Sequence, residues 1–199
     1  MKGGGNAALP LVVDMDGSLV WADTSLLCVM MLLGRPGTLL RALLDWRHGR
    51  ARVKQNLAAA AALDPAHLPY NQHLVTYLRE ERAAGRRLLL ATGADQALAV
   101  AVARHLGLFD AVLASDGQIN LTGRAKLAAI RRTIGGEPFC YVGNSRADLA
   151  VWCEAERGIC VNVRPRLARA AARTTTIERT FPRDAGRLRH WLSALQPRR

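Results

Sequence analysis

Short apolar runs alternate with amphipathic segments along most of this 199-residue chain. Five runs have the length and aliphatic composition of buried strands, at 9–14, 87–92, 111–115, 139–143 and 159–163. Continuous apolar runs of this kind are typical of parallel strands that are covered on both faces. The pattern therefore predicts βαβ units and an α/β fold with a Rossmann-like parallel sheet.

Helical periodicity fills the segments between these runs. Amphipathic helices are predicted over 71–84, 96–106 and 125–134. A further helix is predicted over 145–157, because Ser145 is a suitable N-cap and Gly158 ends the segment.

One interval breaks the alternation of strands and helices. Three helical segments follow the first strand before the second begins, at 24–33, 38–48 and 51–63. We therefore predict a small helical cap over residues 21–69, inserted after the first strand. The catalytic core then comprises residues 7–20 and 70–180.

Positive charge is concentrated near the carboxyl terminus. The formal net charge is +12, and the last 36 residues hold ten arginines against Glu178 and Asp184, which amounts to +8. Such a segment favours binding to a nucleic acid, to an anionic membrane surface or to an acidic partner. The alternative is that it only makes the surface more soluble. We do not expect a nucleic acid as the partner, because the sequence lacks interleaved aromatic residues and a known reading motif.

The basic tail, residues 181–199, has an amphipathic pattern. Its apolar residues fall on one helical face: Leu188, Trp191, Leu192 and Leu195. That face either packs on the domain or lies at a membrane surface. No apolar run reaches the roughly 18 residues that span a bilayer. Since 1–6 lacks the apolar core of a signal peptide, we expect a cytoplasmic protein, peripheral to the inner membrane face if the tail binds lipid.

The four cysteines show no paired spacing and lie in apolar segments: Cys28, Cys140, Cys153 and Cys160. This arrangement predicts buried free thiols rather than a metal site.

Two aspartates close the first apolar run, in LVVDMDGSLV. Asp14 and Asp16 are two residues apart, so that in extended chain their side chains point the same way. Open α/β sheets place their ligands at the carboxyl ends of strands. Two converging carboxylates are costly unless a cation holds them, and Mg²⁺ prefers such hard oxygen ligands. A solvated acidic turn is the alternative.

Polar side chains also stand at or beyond the ends of later strands. They are Thr92 in LLLATGAD, Lys126 in LTGRAKLAAI, and Asn144 and Asp148 in YVGNSRADL. Because parallel strands end at one edge of a sheet, we expect these side chains to converge with the two aspartates.

These four motifs, in this order, resemble those of the haloacid dehalogenase (HAD) superfamily of phosphohydrolases. The resemblance implies that Asp14 is the nucleophile that forms an aspartyl-phosphate. Asp16 would protonate the leaving oxygen and later activate water. Thr92, Gly93 and Lys126 would bind the phosphoryl group, with Lys126 also steadying Asp14.

The resemblance also implies a Mg²⁺ ion, held by Asp14, the main-chain carbonyl of Asp16, Asn144 and Asp148. Asn144 stands where most members of the superfamily have an aspartate, so a non-catalytic domain is the alternative. Trp21, just after the catalytic turn, would either line the substrate mouth or pack at the hinge of the cap.

A closer resemblance covers nearly the whole chain. Segments such as LPYNQHLVTYLREERAAGRRLLLATGAD and YVGNSRADLAVW look like the HAD domain that is fused to UbiA-type intramembrane prenyltransferases. This implies a Mg²⁺-dependent phosphomonoester hydrolase for a sugar phosphate or a prenyl-phosphosugar. It also implies a UbiA-type prenyltransferase or an anionic membrane surface as partner. The alternative is a regulatory module that docks on such a prenyltransferase.

Overall fold

A parallel six-stranded sheet forms the centre of the protein in the computed structural model, which describes residues 8–182. The strand order is β3-β2-β1-β4-β5-β6. The strands are β1 (Leu11–Val13), β2 (Leu88–Asp95), β3 (Ala111–Ser115), β4 (Cys140–Gly143), β5 (Arg157–Val161) and β6 (Thr176–Phe181). Each neighbouring pair is parallel, so all six carboxyl ends lie at one edge. The predicted α/β, Rossmann-like fold class is confirmed.

Helices flank the sheet and build the insertion. They are α1 (Thr24–Leu32), α2 (Pro36–Leu44), α3 (Arg50–Ala61), α4 (Gln72–Ala83), α5 (Gln96–Leu106), α6 (Gly123–Ile134), α7 (Leu149–Trp152) and α8 (Pro165–Ala172). Short 3₁₀ turns lie at Asp45–His48, Pro65–His67 and Arg146–Asp148. Side chains mark several helix starts, as where Asp95 accepts the main-chain N–H groups of Ala97 and Leu98 at the start of α5.

The alternation of side chains along the strands produces two apolar layers. Leu11 and Val13 of β1 face one layer, whereas Val12 faces the other, and all three are fully inaccessible to solvent. Because the central strand is buried on both faces, its sequence is continuously apolar. The two layers fix β1 between β2 and β4 and thereby fix the position of the residue that follows it, Asp14.

The cap helices α1, α2 and α3 and the 3₁₀ turn at Pro65–His67 fall within the predicted interval 21–69. They enclose a small core of their own, formed by Cys28, Leu32, Ala42 and Leu57. Helix α3 packs against α1 and α2 and also contacts β2 of the main sheet. The cap therefore touches the core at the edge where the strands end.

The helix predicted over 145–157 is wrong in its extent. The chain forms a 3₁₀ turn and the short α7, which ends at Trp152. The main-chain N–H of Glu156 already donates to the carbonyl of Phe139, and β5 begins at Arg157. Sheet pairing therefore ends the helix early. For the same reason β5 begins before the apolar run that predicted it.

Two elements near the carboxyl terminus were not predicted, α8 and β6. The strand β6 lies at the sheet edge and is largely exposed, so it lacks the apolar run that marks a buried strand. Its Arg179 guanidinium instead lies over the rings of Tyr77 and Phe181. Residues 183–199 lie outside the described residues, and with them the predicted tail helix.

The cysteine prediction holds for three residues, since Cys28, Cys140 and Cys160 are free and buried. It is wrong for Cys153, which is free but exposed because it follows the last residue of the shortened α7. Within residues 8–182, the structure contains no helix that combines the length and apolar character needed to cross a bilayer.

A buried arginine joins three parts of the core. Arg86 donates to the carbonyl of Leu9 (2.7 Å), to the Glu81 carboxylate (2.8 Å) and to the Tyr77 hydroxyl (3.2 Å). The carboxylate of Glu178 on β6 lies 3.5 Å away. Arg86 is only 5% exposed, so its charge depends on these partners.

We expect Arg86→Met to lower the free energy of unfolding by about 3 kcal/mol or more, because it leaves buried acceptors without a donor. Urea unfolding followed by circular dichroism measures the loss. Arg87→Met is the matched control, since Arg87 is exposed, and its effect should stay within about 0.5 kcal/mol. Equal losses in the two variants would contradict a structural role for the buried network.

Candidate active site

Asp14 lies at the centre of the site, directly after β1. Its main-chain N–H donates to the carbonyl of Val142 in β4 at 3.0 Å, so that pairing with the neighbouring strand holds its backbone. The residue is 6% exposed. Its Oδ2 accepts a long hydrogen bond, 3.4 Å, from the Ser18 hydroxyl. The chain then turns sharply at Gly17, whose φ is +77°.

Lys126 reaches Asp14 from helix α6. Its Nζ lies 2.6 Å from Asp14 Oδ1, 2.9 Å from the Tyr141 hydroxyl and 3.4 Å from Asp148 Oδ1. The residue is 4% exposed. Burial acts to lower the pKa of the ammonium group, but the two carboxylates outweigh it and raise that pKa. One buried positive charge is thus shared between two carboxylates.

Asp148 receives more hydrogen bonds than Asp14 does. Its Oδ1 accepts the Tyr141 hydroxyl at 2.6 Å, and its Oδ2 accepts the Ser145 hydroxyl (2.7 Å) and the main-chain N–H groups of Ser145 (2.9 Å) and Asn144 (3.1 Å). Burial acts to raise its pKa, but Lys126 and these hydrogen bonds outweigh it and lower the pKa below its usual value. Asp148 is therefore a firmly ionised anchor for Lys126.

Asp14 is left with less compensation for its burial. Desolvation raises the pKa of Asp14 to about 7, although Lys126 acts to lower it. The neighbouring charge of Asp148 adds to the increase. The carboxylate of Asp14 thus lacks a full countercharge, and a further cation beside it would favour its ionised form.

Asp16 faces the cap. Its Oδ1 accepts the main-chain N–H of Thr24, the first residue of α1, at 3.1 Å. Burial, and next the charge of Asp23, raise the pKa of Asp16 to about 6. A carboxyl group with this pKa can hold or release a proton near neutral pH, as a general acid and base requires.

Thr92 and Gly93 lie where β2 passes the site. Thr92 is fully buried, and its hydroxyl accepts the main-chain N–H of Ala94 at 3.0 Å. The carbonyl of Gly93 accepts the Ser115 hydroxyl at 2.9 Å. A Cβ atom at position 93 would lie only 2.7 Å from the Thr122 methyl group, so the close approach of these segments requires glycine.

Sequence reasoning missed Lys54, which extends from α3 of the cap to the core. Its Nζ donates to the carbonyl of Gly93 at 2.7 Å and to the Asn120 side chain at 3.2 Å. Its charge also acts to lower the pKa of Asp16. The available signal was compositional, since Lys54 is one of three lysines in a chain whose other basic residues are arginines.

Asn144 and Trp21 border the catalytic turn in different ways. A Cβ atom at Gly17 would lie 1.9 Å from the amide nitrogen of Asn144, so this side chain is packed against the turn. Trp21 is 3% exposed, and its main-chain N–H donates to the carbonyl of Pro69. The structure therefore favours the hinge-packing role of Trp21 over exposure at the substrate mouth. A substrate contact stays a prediction.

The donor set fits a small divalent cation bound mainly through oxygen. Within residues 8–182, no three His, Cys, Asp or Glu side chains form a metal-binding group. A cation would rely on Asp14, Asp16 and the Asn144 amide, together with the main chain and water, which suits Mg²⁺. The raised pKa values of the two aspartates agree with such a need. Direct ligation by Asp148 stays a prediction, since both its oxygens accept hydrogen bonds.

This fold and arrangement agree with a comparison against family models. Residues 11–151 match the model of the haloacid dehalogenase-like hydrolase family, and the chain belongs to that family. The matched range includes all four motifs, from Asp14 to Asp148.

Similar proteins give the context of the chain. An uncharacterized protein of Sinorhizobium fredii (strain NBRC 101917 / NGR234) is 34% identical over 195 residues, which are 94% of this chain and 37% of that protein. The chain thus spans well under half the length of this relative.

Solved structures share the fold at low identity. A protein with unknown function from Bordetella pertussis Tohama I has a TM-score of 0.62 at 18% identity, covering 84% of this chain and 96% of that one. A substrate-bound phosphoserine phosphatase has a TM-score of 0.61 at 16% identity, covering 94% and 98%.

The negative charges of Asp14 and Asp148 are compensated to different degrees. We therefore expect the contributions of Asp14 and Asp148 to folding stability to change with pH in opposite directions. Since the folded pKa of Asp14 exceeds its unfolded value, its stabilisation is present below about pH 4 and is lost as pH rises towards 7. In metal-free protein, the stability of Asp14→Asn relative to wild type should therefore increase over this range, by at most about 1.4 kcal/mol per pH unit. Chemical denaturation in chelator at several pH values measures it.

Asp148→Asn is the matched control. The folded pKa of Asp148 is lowered, so its stabilisation is present above the unfolded pKa and is lost as pH falls through the folded one. Wild type should therefore be more stable than Asp148→Asn at neutral pH, with the difference shrinking in acid. If the stabilities of the two variants relative to wild type changed with pH in the same direction, the charge of Lys126 would not be shared unequally between Asp14 and Asp148.

Proposed function

We propose that this chain is a phosphomonoester hydrolase that works through an aspartyl-phosphate intermediate. The observation that supports it most directly is the buried contact of 2.6 Å between Lys126 and Asp14, with Asp16 two residues further on. A carboxylate, a fixed cation and a second carboxyl group of raised pKa are the three parts that nucleophilic phosphoryl transfer needs.

In the first half-reaction, an oxygen of Asp14 attacks phosphorus as the bond to the leaving oxygen breaks. Asp16 donates its proton to that oxygen, so the leaving group departs as an alcohol. Lys126 balances charge on the phosphoryl oxygens, and Thr92 with the main chain at Gly93 positions them. The product is a mixed anhydride of Asp14 and phosphate.

In the second half-reaction, water attacks the phosphorus of the aspartyl-phosphate. Asp16, now ionised, takes a proton from that water, and the bond between phosphorus and Asp14 breaks. Inorganic phosphate leaves, and Asp14 and Asp16 return to their initial states. The raised pKa of Asp16 suits both proton transfers, because neither protonation state is strongly disfavoured near neutral pH.

We infer Mg²⁺ as the cation of this site, held by Asp14, the main-chain carbonyl of Asp16 and Asn144, with Asp148 as a further predicted ligand. When bound, it offsets the repulsion between an anionic nucleophile and an anionic substrate. Asn144 contributes an oxygen without a charge, which favours a weakly held ion. A non-catalytic, regulatory module on a membrane prenyltransferase is the alternative that follows if hydrolysis is absent.

A cavity beside the catalytic centre guides the substrate proposal. It has a volume of about 730 Å³, and Asn144 and Ser145, which directly follow β4, form part of its wall. Three arginines line it, Arg146, Arg164 and Arg166, and apolar side chains lie between them, Leu149, Leu167 and Ala170. Among residues 8–182, none of the three guanidinium groups has an ion-pair partner.

Such a wall suits a substrate that carries a second anionic group beside an apolar or sugar body. This supports a sugar phosphate or a prenyl-phosphosugar as the substrate class. The UbiA-type prenyltransferase partner and a cytoplasmic location at the inner membrane face remain part of the same proposal, since they would bring the enzyme to a prenyl-linked substrate.

Asp14→Asn tests the reaction itself. It preserves the shape of the side chain and removes the nucleophile, so Mg²⁺-dependent release of p-nitrophenol from p-nitrophenyl phosphate should fall by about 10³-fold or more. Circular dichroism and thermal unfolding verify that the variant is folded. Turnover near the wild-type rate in pure Asp14→Asn protein would rule out the mechanism, and inactive wild type would favour the regulatory module.

Arg164→Ala/Arg166→Ala tests the substrate class. Removing two guanidinium groups should raise KM for fructose 1,6-bisphosphate by about tenfold and leave KM for p-nitrophenyl phosphate within about twofold. Arg169→Ala is the matched control, since Arg169 is exposed on the same helix and does not line the cavity. An equal change for both substrates would contradict a second anion subsite.

A further inference from the structure

Exposed apolar side chains are concentrated on the cap. Eight large hydrophobic residues are exposed within residues 8–182, and seven of them lie between positions 26 and 46: Leu26, Met31, Leu33, Leu40, Leu43, Leu44 and Trp46. The eighth is Ile119, which lies on the surface of the catalytic core domain rather than on the cap. Trp46 is 73% exposed and Leu33 is 64% exposed. Scattered apolar residues are ordinary on protein surfaces, but such a concentration marks an interaction surface.

The cap is also basic. Residues 21–69 contain five arginines and Lys54 against Asp23, Asp45 and Asp64, a formal charge of +3. Arg35, Arg41, Arg47 and Arg50 are exposed, and none of them forms an ion pair with a residue whose side chain the structure describes. These arginines lie in the same part of the sequence as the exposed leucines and Trp46, where they outnumber the acidic residues.

Two of these arginines border a small cleft at the start of α2. The cleft has a volume of about 330 Å³, and Arg35 and Arg41 line it together with Pro36, Gly37 and Thr38. Its size and its two guanidinium groups suit a phosphate headgroup, because guanidinium pairs with phosphate through two parallel hydrogen bonds.

This surface is separate from the face that the cap turns to the catalytic core. The cap contacts the core through α3, by Lys54 to Gly93 and by the Gln55 side chain beside Gly117, and through Thr24 at the start of α1, whose main-chain N–H donates to Asp16. The exposed residues lie elsewhere on α1 and α2, at Leu33 between these helices, and in the turn at Asp45–His48. A partner could therefore occupy them without displacing Lys54.

We propose that the outer face of the cap binds an anionic membrane surface. Arg35, Arg41 and Arg47 contact the lipid phosphates, while Leu40, Leu44 and Trp46 enter the interfacial layer, where tryptophan is favoured. A second copy of the chain fits less well, because a symmetric contact would bring the unpaired arginines of both copies together. This proposal does not depend on phosphatase activity.

The experiment is co-sedimentation of the full chain with phosphatidylcholine vesicles, with and without phosphatidylglycerol. Wild type should bind only the anionic vesicles, and high salt should weaken binding because it screens these charges. Arg35→Ala/Arg41→Ala and Leu40→Ser/Trp46→Ser should each lower the partition coefficient by about tenfold or more. These positions are exposed, so thermal unfolding should be unchanged, which excludes misfolding as the cause.

The matched controls are Arg169→Ala and Ile119→Ser, which remove an exposed arginine and an exposed apolar side chain outside the cap. Both should bind like wild type. Failure of wild type to bind anionic vesicles would overturn the proposal. Undiminished binding by the cap variants would also overturn it, and loss of binding in a chain ending at Pro182 would then locate the contact in 183–199. Self-association that the cap substitutions abolish, without vesicle binding, would identify a second copy as the occupant.

Discussion

The positive charge of Lys126 lies between two buried carboxylates, Asp14 and Asp148. The electrostatics of the site depend on how well this one charge compensates each of them. Asp148 gains three hydrogen-bonding neighbours besides the lysine, whereas Asp14 has only a long contact with Ser18. The ionised form of Asp148 is therefore stabilised by its surroundings, whereas that of Asp14 is not. Negative charge on Asp14 is therefore only partly compensated, so a cation beside it would favour its ionised form and would offset its repulsion of an anionic phosphate.

The sheet makes this division possible because it brings distant segments to one edge. Asp14 follows β1, Asp148 lies beyond β4, and Lys126 belongs to the helix that follows β3. Only parallel strands end together in this way, and only a central strand buried on both faces holds Asp14 against two neighbours. The cap then closes over the same edge through two polar contacts, from Thr24 to Asp16 and from Lys54 to Gly93.

The sequence predicted the fold class because its buried strands are continuous apolar runs, and motif order indicated that Asp14, Lys126 and Asp148 would meet. Prediction failed for elements and side chains whose positions depend on solvent exposure or on tertiary contacts, because these leave no periodic pattern in the sequence. The edge strand β6 faces solvent, and the early start of β5 depends on pairing with Phe139 rather than on local periodicity. Lys54 was missed because its role depends on how α3 packs over β2, a tertiary contact that no local spacing records. Cys153 was misplaced with the helix predicted around it.

The hydrogen bond from Thr24 to Asp16 has a consequence for the timing of the reaction. Its donor is the first residue of α1, and its acceptor is the carboxyl group that we propose as the general acid and base. Burial and the charge of Asp23 are the largest causes that raise the pKa of Asp16, and Asp23 moves with α1 because it is the N-cap of that helix. The hydrogen bond from Thr24 and the charge of Lys54 act against them, but more weakly. Moving the cap away would remove all four influences, so the pKa of Asp16 would fall towards its ordinary value. A closed cap therefore favours the protonated form of this carboxyl group, the form that our proposed mechanism requires for the first half-reaction.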